Sequence, residues 1–337
     1  MQNKYFPKDK VIKSVKIALA SFLAIALAGE LGLKYSATAG IITVLSIQNT
    51  KRETLKSAFN RGAAFLCALF LAAVSFRFLD YTLTAFGVYL FFFALICLRA
   101  GWAEAIAMDS VLITHFLTEQ TFAPAAILNE AALFLIGTGA GILVNLHLRK
   151  KESLFRQLSD EADNQIKAIL HRMSLWLPEP DKSSYDSSCF VRLEHSLERA
   201  RLCAASNYNN AILDQNTFEL DYVNMREQQS IVLQGIYENI KAITYLPEQA
   251  LQVAALLAKI EQDYHKDNTV ESLQLDLNAL LMEMKAQPLP QSREEFEARA
   301  ILFYILKQLE KLLHLKRTFI LHAQGLSGGH TMDEPVS

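Results

Sequence analysis

Up to about Leu148 the chain alternates long apolar runs with short charged clusters, whereas beyond Arg149 charged and polar residues recur every three or four positions. No run in that second half is long enough to cross a bilayer. A hydrocarbon core about 30 Å thick takes roughly 20 apolar helical residues, fewer where flanking side chains snorkel or the segment is re-entrant. Six segments satisfy or approach this: Val11–Ala28, Tyr35–Ile47, Gly62–Leu79, Thr82–Leu98, Ala103–Leu117 and Ala123–Leu148. The first also has the outline of a signal peptide, with Lys8, Lys10 and Lys13 ahead of it and Ala26-Leu27-Ala28 resembling a cleavage site. Its removal would leave the orientation of the others unchanged.

In the second half apolar residues step by threes and fours, which predicts amphipathic helices. Leu158, Ala162, Ile166, Ile169, Met173 and Trp176 form the inward stripe of the first, and Leu193, Leu197 and Ala200 that of a second over Phe190–Leu213. A third carries Leu233, Ile236, Ile240 and Ile243; a fourth, opened by Pro247, buries Val253, Leu257, Ile260 and Tyr264. The fifth uses Leu273, Leu277, Leu280 and Met284, the sixth Leu302, Ile305, Leu309 and Leu312. Asn216 with Glu219, Asn268 with Glu271 and Ser292 with Glu295 read as capped starts. Breaks fall at Pro178–Ser188 and at Pro288-Leu289-Pro290. Nothing reads as strand. The fold class is therefore all-α: a membrane bundle of about six spans over 1–150, a helical bundle over 151–326 and a disordered tail over 327–337.

Charge sets the orientation, because cytoplasmic loops retain Lys and Arg. With the N-terminus inside, Lys4, Lys8, Lys10 and Lys13, then Lys51, Arg52, Lys56 and Arg61 of a loop, then Arg99, then Arg149, Lys150 and Lys151 are all cytoplasmic. The outer loops keep only Lys34 and Arg77. An even number of spans returns the C-terminal half to the cytoplasm, so the protein is expected in a bacterial plasma membrane with both termini inside. A net charge of -2 without a basic block gives no electrostatic basis for nucleic-acid binding. Cys67, Cys97, Cys189 and Cys203 lack CxxC spacing and histidine partners, which reads as four free thiols and no metal site.

The second and fifth segments are the shortest and the most polar. In a division of six spans into three plus three, the second half inserts with opposite topology, and short segments at matching places point to a transport site. Gln48, Asn49 and Thr50 close the second; Glu104, Asp109, Thr114 and His115 lie in the fifth; Glu130 and Asn145 lie in the sixth. Ionisable groups in lipid are costly and normally face a bundle interior or a wet cavity. Glu104 and Arg61 stand near span ends, where snorkelling accounts for them equally well, while Asp109 and His115 lie deeper and divide between function and an interhelical hydrogen bond. Asp109 and His115 are separated by about 9 Å of helical rise and about 120° of turn, so one pathway through both requires a cavity or a neighbouring helix between them. Gly137 and Gly141 form a GxxxG step that admits a neighbouring helix backbone. No HExxH, GxSxG or phosphate loop is present, and His171, His195, His265, His314 and His322 are scattered over the predicted helices, so neither an enzyme nor a cofactor is expected.

The chain resembles the bacterial aromatic acid exporter family, in the subgroup that joins one six-span unit to its own C-terminal helical domain. The resemblance extends to about Leu326. It rests on Ser46-Ile47-Gln48-Asn49-Thr50-Lys51-Arg52-Glu53-Thr54 with Arg61, on Val111-Leu112-Ile113-Thr114-His115-Phe116, on Asn129-Glu130 and on Asn145-Leu146. The wider superfamily, which includes the fusaric acid resistance proteins, often has proline where Asn49 stands. The resemblance implies efflux of small aromatic carboxylates. Larger relatives carry two membrane units in one chain, so it also implies a homodimer here, with which the GxxxG step agrees. Two functions follow: a proton-coupled secondary exporter of organic anions, using Asp109, His115 and Glu130 for protons and Arg61 for the carboxylate, or a non-transporting scaffold or sensor acting through the helical bundle.

Overall fold

A computed structural model of the protein describes residues 8–146, 150–211, 216–264 and 270–328. Lys4, Leu148, Arg149, Leu213, His265, Asn268 and the tail beyond Gly328 lie outside the described residues. Among the described residues all regular structure is helical, in twelve helices. The chain divides into two compact units: Met1–Lys150 with Asn209–Gln215, and Lys151–Tyr208 with Asn216–Ser337.

The first unit holds α1 (Lys8–Glu30), α2 (Ala37–Ser46), α3 (Lys51–Leu79), α4 (Leu83–Ala100), α5 (Ala105–Glu119) and α6 (Pro124–Leu146). One expectation is corrected: Lys51–Arg61 is not a loop but the opening turns of α3. Thr50 caps it, its side chain accepting from the Glu53 backbone N–H at 3.3 Å, and Glu53 places a negative charge at the positive end of the helix. Further along, Gly101 in the left-handed region (φ 75°) stops α4, and the Trp102 N–H returns to the Cys97 carbonyl at 2.8 Å.

By length and composition α1, α3, α4 and α6 can each cross a membrane. Their large apolar side chains point outward, among them Phe22, Phe70, Phe78, Phe91 and Leu135, while Arg61, Asp109, His115, Glu130 and Asn145 are buried. Polar-in and apolar-out is the arrangement a hydrocarbon solvent selects. Exchanging α1 with α4, α2 with α5 and α3 with α6 carries the α1/α2, α1/α6 and α2/α6 packings onto α4/α5, α4/α3 and α5/α3, all of which occur. The neighbour pattern thus has the symmetry of a three-plus-three repeat.

At ten residues α2 is only about 15 Å long. It nevertheless runs parallel to α6 through its flanks: Asn129 bonds the Lys34 backbone at one end and Asn145 Nδ2 donates to the Gln48 carbonyl at the other. Those contacts are separated by about 24 Å of α6. Gly137 and Gly141 allow the approach, since a Cβ on Gly137 would lie 2.6 Å from Ile42 Cβ and 2.7 Å from the Ala39 carbonyl oxygen, and one on Gly141 2.6 Å from Ser46 Cβ. The GxxxG step is therefore occupied by α2 of the same chain rather than left for a second copy. Gly137→Ala and Gly141→Ala are each expected to destabilise the membrane unit by about 1–3 kcal/mol. Gly139→Ala, whose added Cβ meets nothing within 4 Å, is expected to be neutral in the same thermal-melting assay in detergent.

The second unit contains α7 (Glu152–Trp176), α8 (Ser188–Asn210), α9 (Phe218–Ala242), α10 (Gln249–Asp263), α11 (Glu271–Ala286) and α12 (Arg293–Gly328). The inward positions read from periodicity are buried, with Trp176 and Met284 half-buried at the margin of the core. Ser292 caps α12, accepting from the Glu295 N–H at 3.1 Å, and the Glu295 carboxylate accepts from Gln291 N at 2.9 Å. The Asn216 start differs: Asn216 Oδ1 accepts from Phe218 N at 2.8 Å, Thr217 takes the cap position, and Glu219 accepts from Asn207 Nδ2 instead of closing a capping box. Inside this bundle lies a charged group unforeseen from sequence. Arg226 of α9, 1% exposed, pairs with Asp163 of α7 at 2.8 Å, and Tyr222 donates to the same carboxylate. Arg226 also donates to Gln229 Oε1 at 2.8 Å, whose amide nitrogen reaches the Leu312 carbonyl at 3.1 Å. Burial opposes the charge on Arg226, but the oxygens of Tyr264, Tyr222 and Asp163 outweigh it and hold the guanidinium above its ordinary range.

Candidate functional site

Ionisable residues recur along α5 and its ends at Glu104, Asp109, His115 and Glu119, and they organise the membrane unit into three levels. α5 is short, opens after the Gly101 turn and packs against α3, α4 and α2, so its polar face looks into the bundle.

At the level of Glu104, four elements converge. Arg61, from the third turn of α3 and 4% exposed, donates to Ser46 Oγ at 3.3 Å and reaches Glu104 at 3.5 Å. Glu104 also accepts from Gln48 Nε2 at 3.2 Å and Ser57 Oγ at 3.0 Å. Beside it Asn145 donates to Thr54 Oγ1 at 2.5 Å as well as to the Gln48 carbonyl, and so supplies a partner at the point where α2 ends and its carbonyls lose theirs. Thr50 caps α3, whereas Asn49 is exposed and accepts from Lys13 Nζ at 3.1 Å.

At the level of Glu119, Lys34 pairs with that carboxylate at 2.6 Å and the Tyr35 hydroxyl donates to it at 3.0 Å. The Tyr35 ring stacks on His115 with centroids 4.0 Å apart and planes within 8°. His115 Nδ1 lies 2.7 Å from Glu130 Oε2, Thr38 Oγ1 is 3.5 Å from Nε2, and Asn129 Nδ2 donates to the other Glu130 oxygen at 2.9 Å. His115 and Glu130 are 9% and 2% exposed, so this is an interior pair. Thr114 turns its hydroxyl back to the Val111 carbonyl and takes no part.

Between these levels stands Asp109, fully buried, with no hydrogen-bond partner for either carboxylate oxygen among the described residues. Among the described residues, the ionisable groups it interacts with electrostatically include Arg61 and Cys67 of α3 and Tyr89 and Cys97 of α4, and Arg61 is the cation of this set. Arg61 Nε is likewise buried without a partner. A buried carboxylate with neither oxygen bonded is a costly arrangement that a proton, a counter-charge or a ligand relieves. One turn from Arg61, Phe65 stacks on Phe134 of α6 with centroids 5.0 Å apart and planes within 5°. Met108, whose sulfur accepts from Arg61 at 4.0 Å, belongs to the same apolar cluster as those rings.

The nine candidates thus fall into distinct groups. Gln48, Arg61 and Glu104 are bonded together, with Thr50 and Asn145 on the adjoining end of α2; His115 and Glu130 form a second group; Asp109 faces Arg61; Asn49 stands aside. Asp109 and His115 face different helices, as their separation around α5 requires. Tyr35, Lys34, Glu119, Phe65 and Phe134 extend these groups. Phe65 was accessible from sequence, being four residues after Arg61 on one helix; its stacking partner was not.

All-helical among the described residues, with four membrane-length helices, buried polar groups between them and an added helical unit, the chain is a multi-pass membrane protein. Residues 10–148 match the family model of aromatic acid exporter family member 1 and residues 152–317 that of the aromatic acid exporter C-terminal domain, so the chain belongs to the aromatic acid exporter family. It is 27% identical over 307 residues to the uncharacterized protein YqjA of Bacillus subtilis (strain 168), covering 91% of this chain and 95% of that one. A crystal structure of a membrane protein from Clostridium difficile 630 is similar at 26% identity and a TM-score of 0.44, over 49% of this chain and 98% of the other.

Proposed function

We propose that the protein is a proton-coupled secondary exporter of small aromatic carboxylates or similar organic anions. The observation that carries this reading is the burial of Arg61 Nε and of both Asp109 carboxylate oxygens inside the membrane unit without hydrogen-bond partners among the described residues, with an aromatic stack one helical turn from Arg61. Arg61 receives the carboxylate and Phe65 with Phe134 the ring, about 6 Å of α3 separating the two functions. Asp109 handles the proton at this site; His115 and Glu130 handle it nearer the external face. The Lys34–Glu119 and Arg61–Glu104 groups close the two ends in turn, as the repeat relationship between α2 and α5 suggests. The N-terminus and the helical unit 151–326 lie in the cytoplasm of a bacterium, on the strength of the Lys and Arg distribution. Two copies pair, through a face other than Gly137 and Gly141.

Efflux of 4-hydroxybenzoate from vesicles containing the purified chain, with protein-free vesicles as the blank, tests the reading. Protein-dependent efflux is expected, with preference for 4-hydroxybenzoate over 4-hydroxycyclohexanecarboxylate. Phe65→Leu and Phe134→Leu should reduce that preference about twofold to twelvefold, the loss of one aromatic contact at about 0.5–1.5 kcal/mol. Failure of every tested anion to move would favour a membrane scaffold or sensor acting through the helical bundle.

A further inference from the structure

We propose that Arg61 and Asp109 form one composite site that takes an organic anion and a proton together, so that transport moves no net charge. The inference rests on the export reading and adds to it the sense of the coupling.

The hydrogen-bonding inventory defines what fits. Arg61 Nε–H is a buried donor without an acceptor, and Asp109 offers two buried oxygens without a donor. An anionic ligand oxygen satisfies the guanidinium. It does nothing for an ionised Asp109, which would then share one cation with a second negative charge. With a proton on Asp109, the carboxylic O–H donates to a ligand oxygen, and donors and acceptors match. The proton comes from the aqueous side to which the site is open, and it leaves on the opposite side when the anion departs and Asp109 again balances Arg61.

Charge counting agrees. In the proposed cycle the empty, returning site has Arg61 positive and Asp109 negative, and the loaded site has Arg61 positive, Asp109 neutral and the ligand negative. Both sum to zero, which a low-dielectric interior favours over a net charge. Cys67, Cys97 and Tyr89, the other titratable groups facing Asp109, are neutral at physiological pH in their ordinary forms. Glu104 belongs to the exposed end of Arg61 and is itself held by Gln48 and Ser57. A carrier whose two forms have equal charge neither gains nor loses by the membrane potential. A route that moved the bare anion would instead change its equilibrium gradient about tenfold for every ~60 mV.

The test uses the full chain in vesicles loaded with 4-hydroxybenzoate, the potential clamped by potassium and valinomycin, and a pH dye inside. Protein-dependent net efflux is expected to be unchanged between 0 and 120 mV outside-positive, to make the interior alkaline by one proton per anion, and to slow about tenfold or more when internal pH rises from 6 to 8 at fixed anion concentration. Asp109→Asn mimics the protonated residue but leaves the empty site with an unbalanced Arg61. It should lose net efflux at least tenfold, retain anion-for-anion exchange, and make that exchange independent of pH. A structural role for Asp109 would remove both modes with the folded protein. Acceleration of wild-type efflux by outside-positive potential, acidification of the interior, or loss of exchange in a stably folded Asp109→Asn would each overturn the proposal. Where that variant does not fold, the wild-type potential and pH measurements decide. Absence of any protein-dependent flux would instead defeat the export reading.

Discussion

Asp163→Asn is expected to lower the unfolding free energy of the segment 151–326 by about 3–5 kcal/mol, because it leaves Arg226 charged in a dry core without its carboxylate. The segment itself, expressed alone, should be soluble and helical, since its inward stripes build two buried apolar clusters. Arg226 is 1% exposed, and Gln229, which accepts from it, is committed to the Leu312 carbonyl. A neutral amide keeps the shape of Asp163 but cannot balance the guanidinium. Urea unfolding followed by circular dichroism measures the loss. Lys307→Ala, which breaks an exposed pair with Glu310 at 2.8 Å, should change stability by less than about 1 kcal/mol. The combined Asp163→Leu and Arg226→Met replacement should recover most of the loss, as neither member of the pair is then left as a buried charge without its partner. Equal, small effects from Asp163→Asn and Lys307→Ala would show that water reaches the Arg226 pair.

That pair illustrates where sequence reasoning stopped. In the second half, water rewards the contrast between apolar and polar faces, so periodicity located six helices, and every described inward position it named is buried or half-buried, although further core positions such as Leu170, Tyr237 and Leu306 went unnamed. Arg226 and Gln229 stand one heptad before Leu233 and Ile236, on the same face. Their inward direction was therefore legible, but polarity alone assigns such residues to the surface. In the membrane half, length and apolar content reveal the spans and the two short members. The start of α3 was hidden by Lys51, Arg52, Lys56 and Arg61, which read as loop charges, although Thr50-x-x-Glu53 is a helix-start pattern. Lipid does not distinguish one apolar face from another, so the partners of His115, Asp109 and Gly137 depend on which helices meet, and no local spacing records that. His115 and Glu130 are 15 residues apart; Asn145 and the Gln48 carbonyl are 97 apart.

Arg61→Gln is expected to reduce anion efflux by about 30-fold to several thousand-fold with insertion and abundance preserved, the range that corresponds to removing one member of a desolvated charge pair at about 2–5 kcal/mol. The guanidinium is buried, whereas Glu104, its partner at 3.5 Å, is 65% exposed at the side chain. Glu104→Gln should therefore change efflux only severalfold, because an exposed ion pair is worth about 0–1 kcal/mol and the amide can still accept from Ser57 and Arg61. Arg61→Lys separates charge from geometry. Lysine preserves the positive charge opposite Asp109, so any remaining flux stays insensitive to potential, but it lacks the planar fork that meets Ser46, Met108 and a carboxylate at once. Its apparent affinity for 4-hydroxybenzoate should fall about tenfold or more, with a smaller fall in maximal rate. Normal efflux in Arg61→Gln at normal abundance would remove Arg61 from the anion site. Equal losses in Arg61→Gln and Glu104→Gln would assign both residues to closure of that end of the bundle, since a gate fails when either side of it is removed and a binding site fails mainly with the group that meets the ligand.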